Sequence, residues 1–158
     1  MENENSKFMM EAIRLSIDNV EQGNGGPFGA IVVKEGKIIA LGSNQVTSSN
    51  DPTAHAEVVA IRAACKVLNT FQLNGCEIYT SCEPCPMCLG AIYWARPKRV
   101  VYANTKEDAA EIEFDDDFIY SEINTKMEER KIPFVHHPHP KAKEVFDAWK
   151  NWEGKMKY

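Results

Sequence analysis

The amino-acid sequence predicts a single α/β domain in which helices cover both faces of one sheet. Segments with helical periodicity alternate with short apolar strand-like segments along the chain, an order typical of α/β proteins. The 158 residues contain no repeat, low-complexity tract or linker, and this length suits one domain with its own core. We therefore expect residues 1–158 to form one domain.

The predicted elements follow in order from the amino terminus. Apolar residues at helical spacing predict a helix from Ser6 to about Glu21, which ends in the glycine-rich GNGG. Two apolar runs around Glu35 and Gly36 predict a hairpin. The later predicted elements are a helix over 55–69, a strand at 76–81, a helix that begins at Pro86, a strand at 98–104, short helical pieces within 108–123 and a last short strand at 132–135.

Composition and charge favour a small ligand over a nucleic acid. Hydrophobic residues make up 44% and charged residues 26% of the chain, proportions typical of a soluble fold. The net charge of −5 argues against a phosphate backbone as the main partner, because non-specific nucleic-acid binding depends on lysine and arginine. We therefore expect a small, uncharged partner and no nucleic acid.

Signals for secretion or membrane insertion are not visible in the sequence. The first twenty residues mix charges through every turn and contain no apolar signal-peptide core. The longest uncharged apolar run, PMCLGAIYWA at 86–95, is half of the about 20 residues that a membrane span needs. Five cysteines, three of them within seven positions, favour metal binding or catalysis in a reducing compartment over disulfides. These features predict a cytoplasmic protein with no membrane partner.

The segment SCEPCPMC (81–88) holds three cysteines at the spacing of a metal site. Pro86 suits the first position of a helix, which makes Cys85 the N-cap and Cys88 the third helical residue. Their thiolates can converge on one ion at the positive end of the helix dipole. Cys82 lies at the end of the preceding strand and approaches from another direction. The local geometry therefore favours Cys85 and Cys88 as a pair, with Cys82 as a neighbour.

A second motif, HAE at 55–57, supplies the other half of the site. His55 and Glu57 open a predicted helix, where an imidazole ligand and a nearby carboxylate can face the same point. One histidine and two cysteines leave a fourth tetrahedral position for water, as in a catalytic zinc site. Glu57 can then take a proton from water and return it to a substrate.

Two other kinds of metal site compete with this interpretation. An iron–sulfur cluster of the C-x-x-C-x-x-C-x-x-x-C-P type is disfavoured because position 92 is Ile. A structural zinc with Cys82 as the fourth ligand is the stronger alternative, and it predicts no role for Glu57. H-x-E followed by P-C-x-x-C is the signature of zinc nucleobase deaminases, which favours the catalytic zinc.

Four segments together give the chain a family resemblance. They are GGPFGAIVVK (25–34), DPTAHAE (51–57), SCEPCPMCLGAIYWARP (81–97) and FDDDFIY (114–120). With them the chain resembles the cytidine deaminase-fold superfamily and, within it, the small bacterial guanine deaminases. The resemblance implies an α/β fold, a three-layer α/β/α sandwich with a central mixed sheet of about five strands. It also implies one Zn²⁺ per subunit and hydrolytic deamination of guanine to xanthine and ammonia.

The same resemblance assigns roles to individual residues. It implies that His55, Cys85 and Cys88 hold zinc and that Glu57 moves protons. The implied substrate contacts are Asn44 at the base edge, Phe28 and Trp94 along the purine slot, the backbone N–H of Ala56, and Asp116 and Tyr158, which complete the pocket.

Each substrate contact also has an ordinary structural interpretation. Phe28 and Trp94 lie in apolar segments and suit a core, and Asn44 suits a turn. The acidic run at 115–117 suits a helix start or a solvated surface. Glu113 departs from the family pattern, because relatives carry a small residue at that position.

The C-terminal segment KAKEVFDAWKNWEGKMKY (141–158) predicts an amphipathic helix. Its apolar face is too large and aromatic to remain in water, so the same domain or a second copy must cover it: Val145, Phe146, Trp149 and Trp152. The resemblance implies a homodimer in which residues of about 140–158 are exchanged, with Tyr158 in the partner's site. His136, His137 and His139 lie between prolines and predict a solvated loop.

Several functions therefore remain open at the level of sequence. The zinc motifs are shared by tRNA adenosine deaminases and cytosine deaminases, and guanosine is a further candidate substrate. The acidic net charge disfavours tRNA, because an anticodon loop requires a basic surface. A non-catalytic zinc-stabilised binding module is an alternative of another class, and it predicts that Glu57→Gln has no effect in any assay.

Overall fold

A computed structural model describes residues 2–158, with side chains from Glu4 onward, as two units that divide after Asp116. The N-terminal unit contains α1 (Glu2–Glu21), β1 (Gly29–Lys34), β2 (Lys37–Ser43), α2 (Val46–Ser49), α3 (Ala56–Leu68), β3 (Cys76–Cys82), α4 (Pro86–Ala95), β4 (Arg99–Asn104) and α5 (Lys106–Glu111). The C-terminal unit contains α6 (Asp117–Asn124), a 3-10 turn (Met127–Glu129) and α7 (Pro140–Asn151). The prediction of one domain over 1–158 stays a prediction.

The sheet of the N-terminal unit is mixed and has the strand order β2-β1-β3-β4. β1 pairs antiparallel with β2 and β3, whereas β3 and β4 are parallel. The predicted hairpin is confirmed, and both of its turn residues, Glu35 and Gly36, have positive φ. This backbone suits the right-handed twist of a two-residue hairpin.

Helices cover both faces of this sheet, so the predicted three-layer α/β/α arrangement is confirmed. On one face, α1 contributes Phe8 and Ala12 to a core with Ile31, Val33 and Tyr79. On the other face, α3 and α4 pack on alternate strand residues in a larger core: Ala30, Val32, Ala40, Ala56, Ala60, Ile61, Ala64, Ile78, Ile92 and Ala95. The period-two alternation of β1 and β3 therefore separates the two cores.

The sheet has four strands within the described residues, not the five that were expected. The predicted last strand at 132–135 is wrong, since these residues form neither helix nor strand and are exposed. Pro133 offers a physical reason, because proline cannot donate to a sheet ladder.

The position of α3 depends on a glycine in β2. A Cβ atom at Gly42 would lie 2.2 Å from the carbonyl oxygen of Ala56 and 2.6 Å from the backbone nitrogen of Ala60. Only glycine allows the first turns of α3 to approach the strand this closely.

The C-terminal unit leaves many of its large apolar side chains exposed. Phe146 of α7 is 75% exposed, and the other members are Phe118, Ile132, Phe134, Val135, Val145, Trp149, Trp152 and Met156. The predicted histidine loop is exposed, and His139 caps α7 by accepting a hydrogen bond from the Lys141 backbone N–H at 3.2 Å. None of the described helices is both long enough and apolar enough to cross a bilayer.

Candidate metal centre and active site

Two helix N-termini form the candidate site. His55 is the N-cap of α3, and Cys85 is the N-cap of α4, which begins at Pro86 as predicted. The first turn of a helix carries unpaired backbone N–H groups and the positive end of the helix dipole. Both helix starts therefore favour negatively charged thiolates and carboxylates between them.

The three predicted zinc ligands lie together. The Nδ1 atom of His55 is 3.5 Å from the Sγ atom of Cys85 and 3.5 Å from the Sγ atom of Cys88. All three ligand atoms lie within 4.8 Å of one another. Tetrahedral zinc, with a Zn–S bond of about 2.3 Å and a Zn–N bond of about 2.05 Å, places nitrogen and sulfur about 3.6 Å apart. The spacing and donor types therefore fit one zinc ion.

The two thiols differ in acidity, so Cys85 loses its proton readily and Cys88 retains its proton. Hydrogen bonding from Cys88, aided by His55, lowers the pKa of Cys85 to about 4. The same hydrogen bond raises the pKa of Cys88. The hydrogen bond with Cys85 raises the pKa of His55, against the effect of burial. A metal ion that binds this group displaces the proton of Cys88, as thiolate ligands require.

Glu57 lies in the first turn of α3, beside the metal group. Its side chain is 6% exposed, and burial raises the pKa of its carboxyl group. The hydroxyl of Thr80 donates to Oε1 of Glu57 at 3.0 Å, and the Sγ atom of Cys88 lies 3.4 Å from Oε2. A buried carboxylate with a raised pKa is suited to general acid–base chemistry.

Cys82 is a neighbour of the site and not a member of the metal group. Its thiol contacts the backbone carbonyl of Thr105 at 3.5 Å. Burial raises the pKa of this thiol to about 11, which keeps it protonated. Among the described residues, the metal group consists of His55, Cys85 and Cys88, an arrangement that leaves a tetrahedral position open for water.

Asn44 follows β2 and is buried. Its Oδ1 atom accepts from the backbone N–H groups of Gly26 at 3.4 Å and Val46 at 3.2 Å. Asn19 of α1 donates to the carbonyls of Gly26 at 2.8 Å and Asn44 at 2.9 Å. The turn role suggested for Asn44 is therefore real, and it orients the Nδ2 amide group as the part of the side chain that can donate to a ligand.

The segment after α5 carries the aromatic side chain of Phe114 and the acidic side chain of Asp116. Phe114 packs edge-on against Phe28, with ring centroids 4.9 Å apart and planes at 87°. Burial and, to a smaller extent, the charge of Cys85 raise the pKa of Asp116. Glu113 has a φ of 70°, a backbone conformation that favours glycine and explains why a small residue suits this position.

The remaining predicted contacts are spread more widely. Ala56 is fully buried as the first residue of α3, and its backbone N–H belongs to the open first turn. Trp94 lies in the last turn of α4 and is 63% exposed, so it is not a core residue of the described chain. Tyr158 belongs to the C-terminal unit, where its side chain is exposed, and its place in a partner's site stays a prediction.

Sequence reasoning missed three side chains of the site region: Asn19, Thr80 and Phe114. The alternation of β3 could have revealed Thr80, because it shares a face with Ile78 and Cys82. Asn19 and Phe114 gave no local signal, since their contacts join segments that are distant in sequence.

The fold and the three ligands define the class of zinc-dependent deaminases. Residues 2–104 match the zinc-binding region of cytidine and deoxycytidylate deaminases, and the chain belongs to this family. The matched region contains both helix N-termini and all four strands described above.

Guanine deaminase of Bacillus subtilis bears on the function within that family, by its sequence and by its structure. The chain is 59% identical over 151 residues to guanine deaminase of Bacillus subtilis, a match that covers 96% of this chain and 97% of the relative. The X-ray structure of guanine deaminase from Bacillus subtilis superposes with a TM-score of 0.95 at 58% identity and covers 97% of this chain and 98% of that chain.

One tRNA-specific adenosine deaminase resembles a shorter part of the chain. The tRNA-specific adenosine deaminase of Aquifex aeolicus is 46% identical over 96 residues, which is 61% of this chain and 63% of the relative. The match with Bacillus subtilis guanine deaminase extends well beyond this length.

Proposed function

We propose that this protein is a zinc-dependent guanine deaminase, which hydrolyses guanine to xanthine and ammonia. The observation that carries the proposal is the 59% identity to guanine deaminase across 96% of the chain. Because this match continues past residue 104, it includes the segment with Phe114 and Asp116 and the C-terminal unit.

In this proposal His55, Cys85 and Cys88 hold the zinc ion. When bound there, zinc supplies a water nucleophile near neutral pH, since zinc lowers the pKa of water from about 15.7 to about 7. His55 is neutral and both cysteines are thiolates in that state. The buried carboxylate of Glu57 lies beside the metal ligands and accepts and donates the protons of the reaction.

The proton transfers balance the reaction. The water oxygen bonds to C2 of guanine, and Glu57 accepts a water proton and passes it to ring nitrogen N3. Glu57 then moves the second proton from that oxygen to the amino nitrogen. The C2–N bond breaks, ammonia leaves and C2 keeps a carbonyl oxygen, which gives xanthine.

Substrate recognition follows from the surrounding groups. The Nδ2 amide of Asn44 donates to an acceptor on the base edge, and the backbone N–H of Ala56 provides a second donor. Phe28 and Trp94 line the flat purine, and Asp116 completes the pocket. A site built from such polar groups rejects analogues that lack the matching hydrogen-bond partners.

We also propose a cytoplasmic homodimer formed from single domains of residues 1–158, in which the segment of about 140–158 is exchanged. Its support is the set of exposed large apolar side chains in the C-terminal unit, because contiguous exposed apolar residues mark an interaction surface. An exchanged segment would bury this surface and bring Tyr158 into the partner's site in a closed two-fold assembly. The five cysteines form no disulfide, which is compatible with a reducing cytoplasm.

The experiment that tests the function is a parallel assay of ammonia release with six substrates. Purified zinc-loaded protein is offered guanine, guanosine, adenine, cytosine, cytidine and a tRNA anticodon hairpin. Turnover of guanine alone is expected, and turnover of another member would move the substrate while keeping the chemistry. Silence with all six would support the alternative of a zinc-stabilised binding module.

A further inference from the structure

We infer that Thr80 is a positioning residue for proton transfer, and that Oε2 of Glu57 is the oxygen that exchanges protons. This inference rests on the proposed deaminase function and names a residue outside the zinc motifs. It starts from the contact between the Thr80 hydroxyl and Oε1 of Glu57, whose oxygens lie 3.0 Å apart.

The Thr80 side chain is built into the interior of the site. It lies in β3, is 1% exposed, and shares its face of the strand with Ile78. Buried hydroxyl groups are rarely left without a partner, and Glu57 provides the partner here. A hydrogen bond to a carboxylate in this dry setting is stronger than one between neutral groups.

The second side-chain contact of Glu57 cannot orient it once a metal binds. The sulfur of Cys88 lies 3.4 Å from Oε2, and Cys88 is one of the three ligands of the metal group. A sulfur that coordinates a metal as a thiolate has no proton to donate. Thr80 is then the side chain that holds the carboxylate by donating to it.

The same contacts separate the roles of the two oxygens. Oε1 accepts from Thr80, whereas Oε2 faces Cys88 and with it the metal group. The terminal torsion of a glutamate is broad and roughly two-fold, so the hydrogen bonds from Thr80 and from the backbone N–H of Glu57 itself decide which way the group faces. Without the hydroxyl, Glu57 spends less time in the productive orientation.

The test compares Thr80→Val, which removes the hydroxyl at nearly constant shape, with Thr80→Ser, which keeps it. Thr80→Val is expected to lower kcat for guanine about 10- to 30-fold with KM within about twofold, because misplacement of a catalytic group affects the chemical step. Thr80→Ser is expected to restore most of kcat. Thr80→Ala replaces the valine variant if the latter is insoluble.

Ser81→Ala provides a matched control on the neighbouring position. Ser81 is also buried, and its Oγ atom accepts from the backbone N–H of Gly29 at 3.0 Å, away from Glu57. This variant is expected to lower Tm while kcat stays within about twofold of the wild type. An equal fall of kcat in Ser81→Ala would overturn the inference, as would loss of zinc from Thr80→Val.

A crystal structure of zinc-loaded Thr80→Val gives a readout that does not depend on turnover. The carboxylate of Glu57 is expected to be rotated or to occupy two orientations, with one orientation in Thr80→Ser. An unchanged carboxylate together with an unchanged kcat overturns the inference. Failure of the proposed function has a different signature, since the wild type would then release no ammonia from guanine.

Discussion

Glu57 and Glu77 are two carboxylates at opposite ends of the same sheet, and their surroundings differ sharply. Glu57 lies beside the carboxyl end of β3, where burial raises its pKa. Glu77 lies at the amino end of β3, where a hydrogen bond from Arg99 at 2.7 Å lowers its pKa. Tyr79 also donates to Glu77 at 2.9 Å.

The contrast shows how one residue type acquires two roles. Glu77 has a cationic partner and a phenol donor, so its charge is stabilised and it is a weak base. Glu57 is buried and its donor Thr80 is neutral, so its charge is costly and it accepts a proton more readily. The opposite pKa shifts therefore follow from the two surroundings, and Glu57 is the one that lies beside the metal group.

The largest effect is expected from removing the metal that we place at the carboxyl end of β3, beside Glu57. Cys85→Ser should lose zinc and reduce turnover below detection, because serine is a poor zinc ligand. Metal analysis and ammonia release check this result. Cys82→Ser is the control and should keep one zinc per chain, since its thiol contacts Thr105 and lies outside the metal group. Zinc loss from Cys82→Ser would contradict the ligand assignment.

Next in size is the replacement of Glu57. Glu57→Gln should lower kcat about 10³-fold or more with zinc retained, because the amide cannot accept and return protons. The measurement is steady-state turnover of guanine alongside metal content. Normal turnover in this variant would remove Glu57 from the mechanism and would favour the binding-module alternative.

Glu77→Gln sharpens the comparison from the other end of the sheet. It should lower Tm by about 2 °C, a small effect because the partner Arg99 is largely exposed. Turnover should be unchanged, since this carboxylate stabilises the strand and takes no part in chemistry. Thermal unfolding and guanine turnover are measured on the same preparation. A fall in kcat without a change in Tm would show that Glu77 takes part in the chemistry and would contradict its purely structural role.

The pH dependence of the Glu77 contribution has a defined sign. Because folding lowers its pKa below the ordinary value of 4.5, its stabilisation is present above about pH 4.5 and is lost as pH falls through the folded pKa. The Tm difference between wild type and Glu77→Gln should therefore stay constant from pH 6 to 8 and shrink below about pH 4.5. A difference that grows on acidification would show that the ion pair with Arg99 is not its origin.

The smallest expected effect concerns the segment in front of the site. Glu113 has a φ of 70°, so Glu113→Gly should raise Tm by about 1–2 °C through relief of backbone strain. The gain is limited because glycine also increases the entropy of the unfolded chain. Differential scanning calorimetry measures it, and Ala109→Gly within helix α5 is a control that should lower Tm.

Sequence patterns predicted the features that depend on residues close together in the chain, such as helix starts and turns. Pro86 specified the start of α4 and thereby the position of Cys85, and Glu35-Gly36 specified the hairpin turn. Thr80 was not predicted to meet Glu57, because this contact depends on how α3 lies on the sheet. The predicted strand at 132–135 is wrong for a related reason, because an apolar run forms a strand only where another strand pairs with it.

The glycine at position 42 has a consequence for directed evolution of this chain. Any side chain there would push the first turn of α3 outward, together with His55, which caps that turn, and Glu57, which belongs to it. A mutant library aimed at other aminated ring compounds should therefore keep Gly42 and place its diversity in the segment of Phe114 and Asp116. Such a library would vary residues of the proposed substrate pocket, while His55 and Glu57 keep their positions.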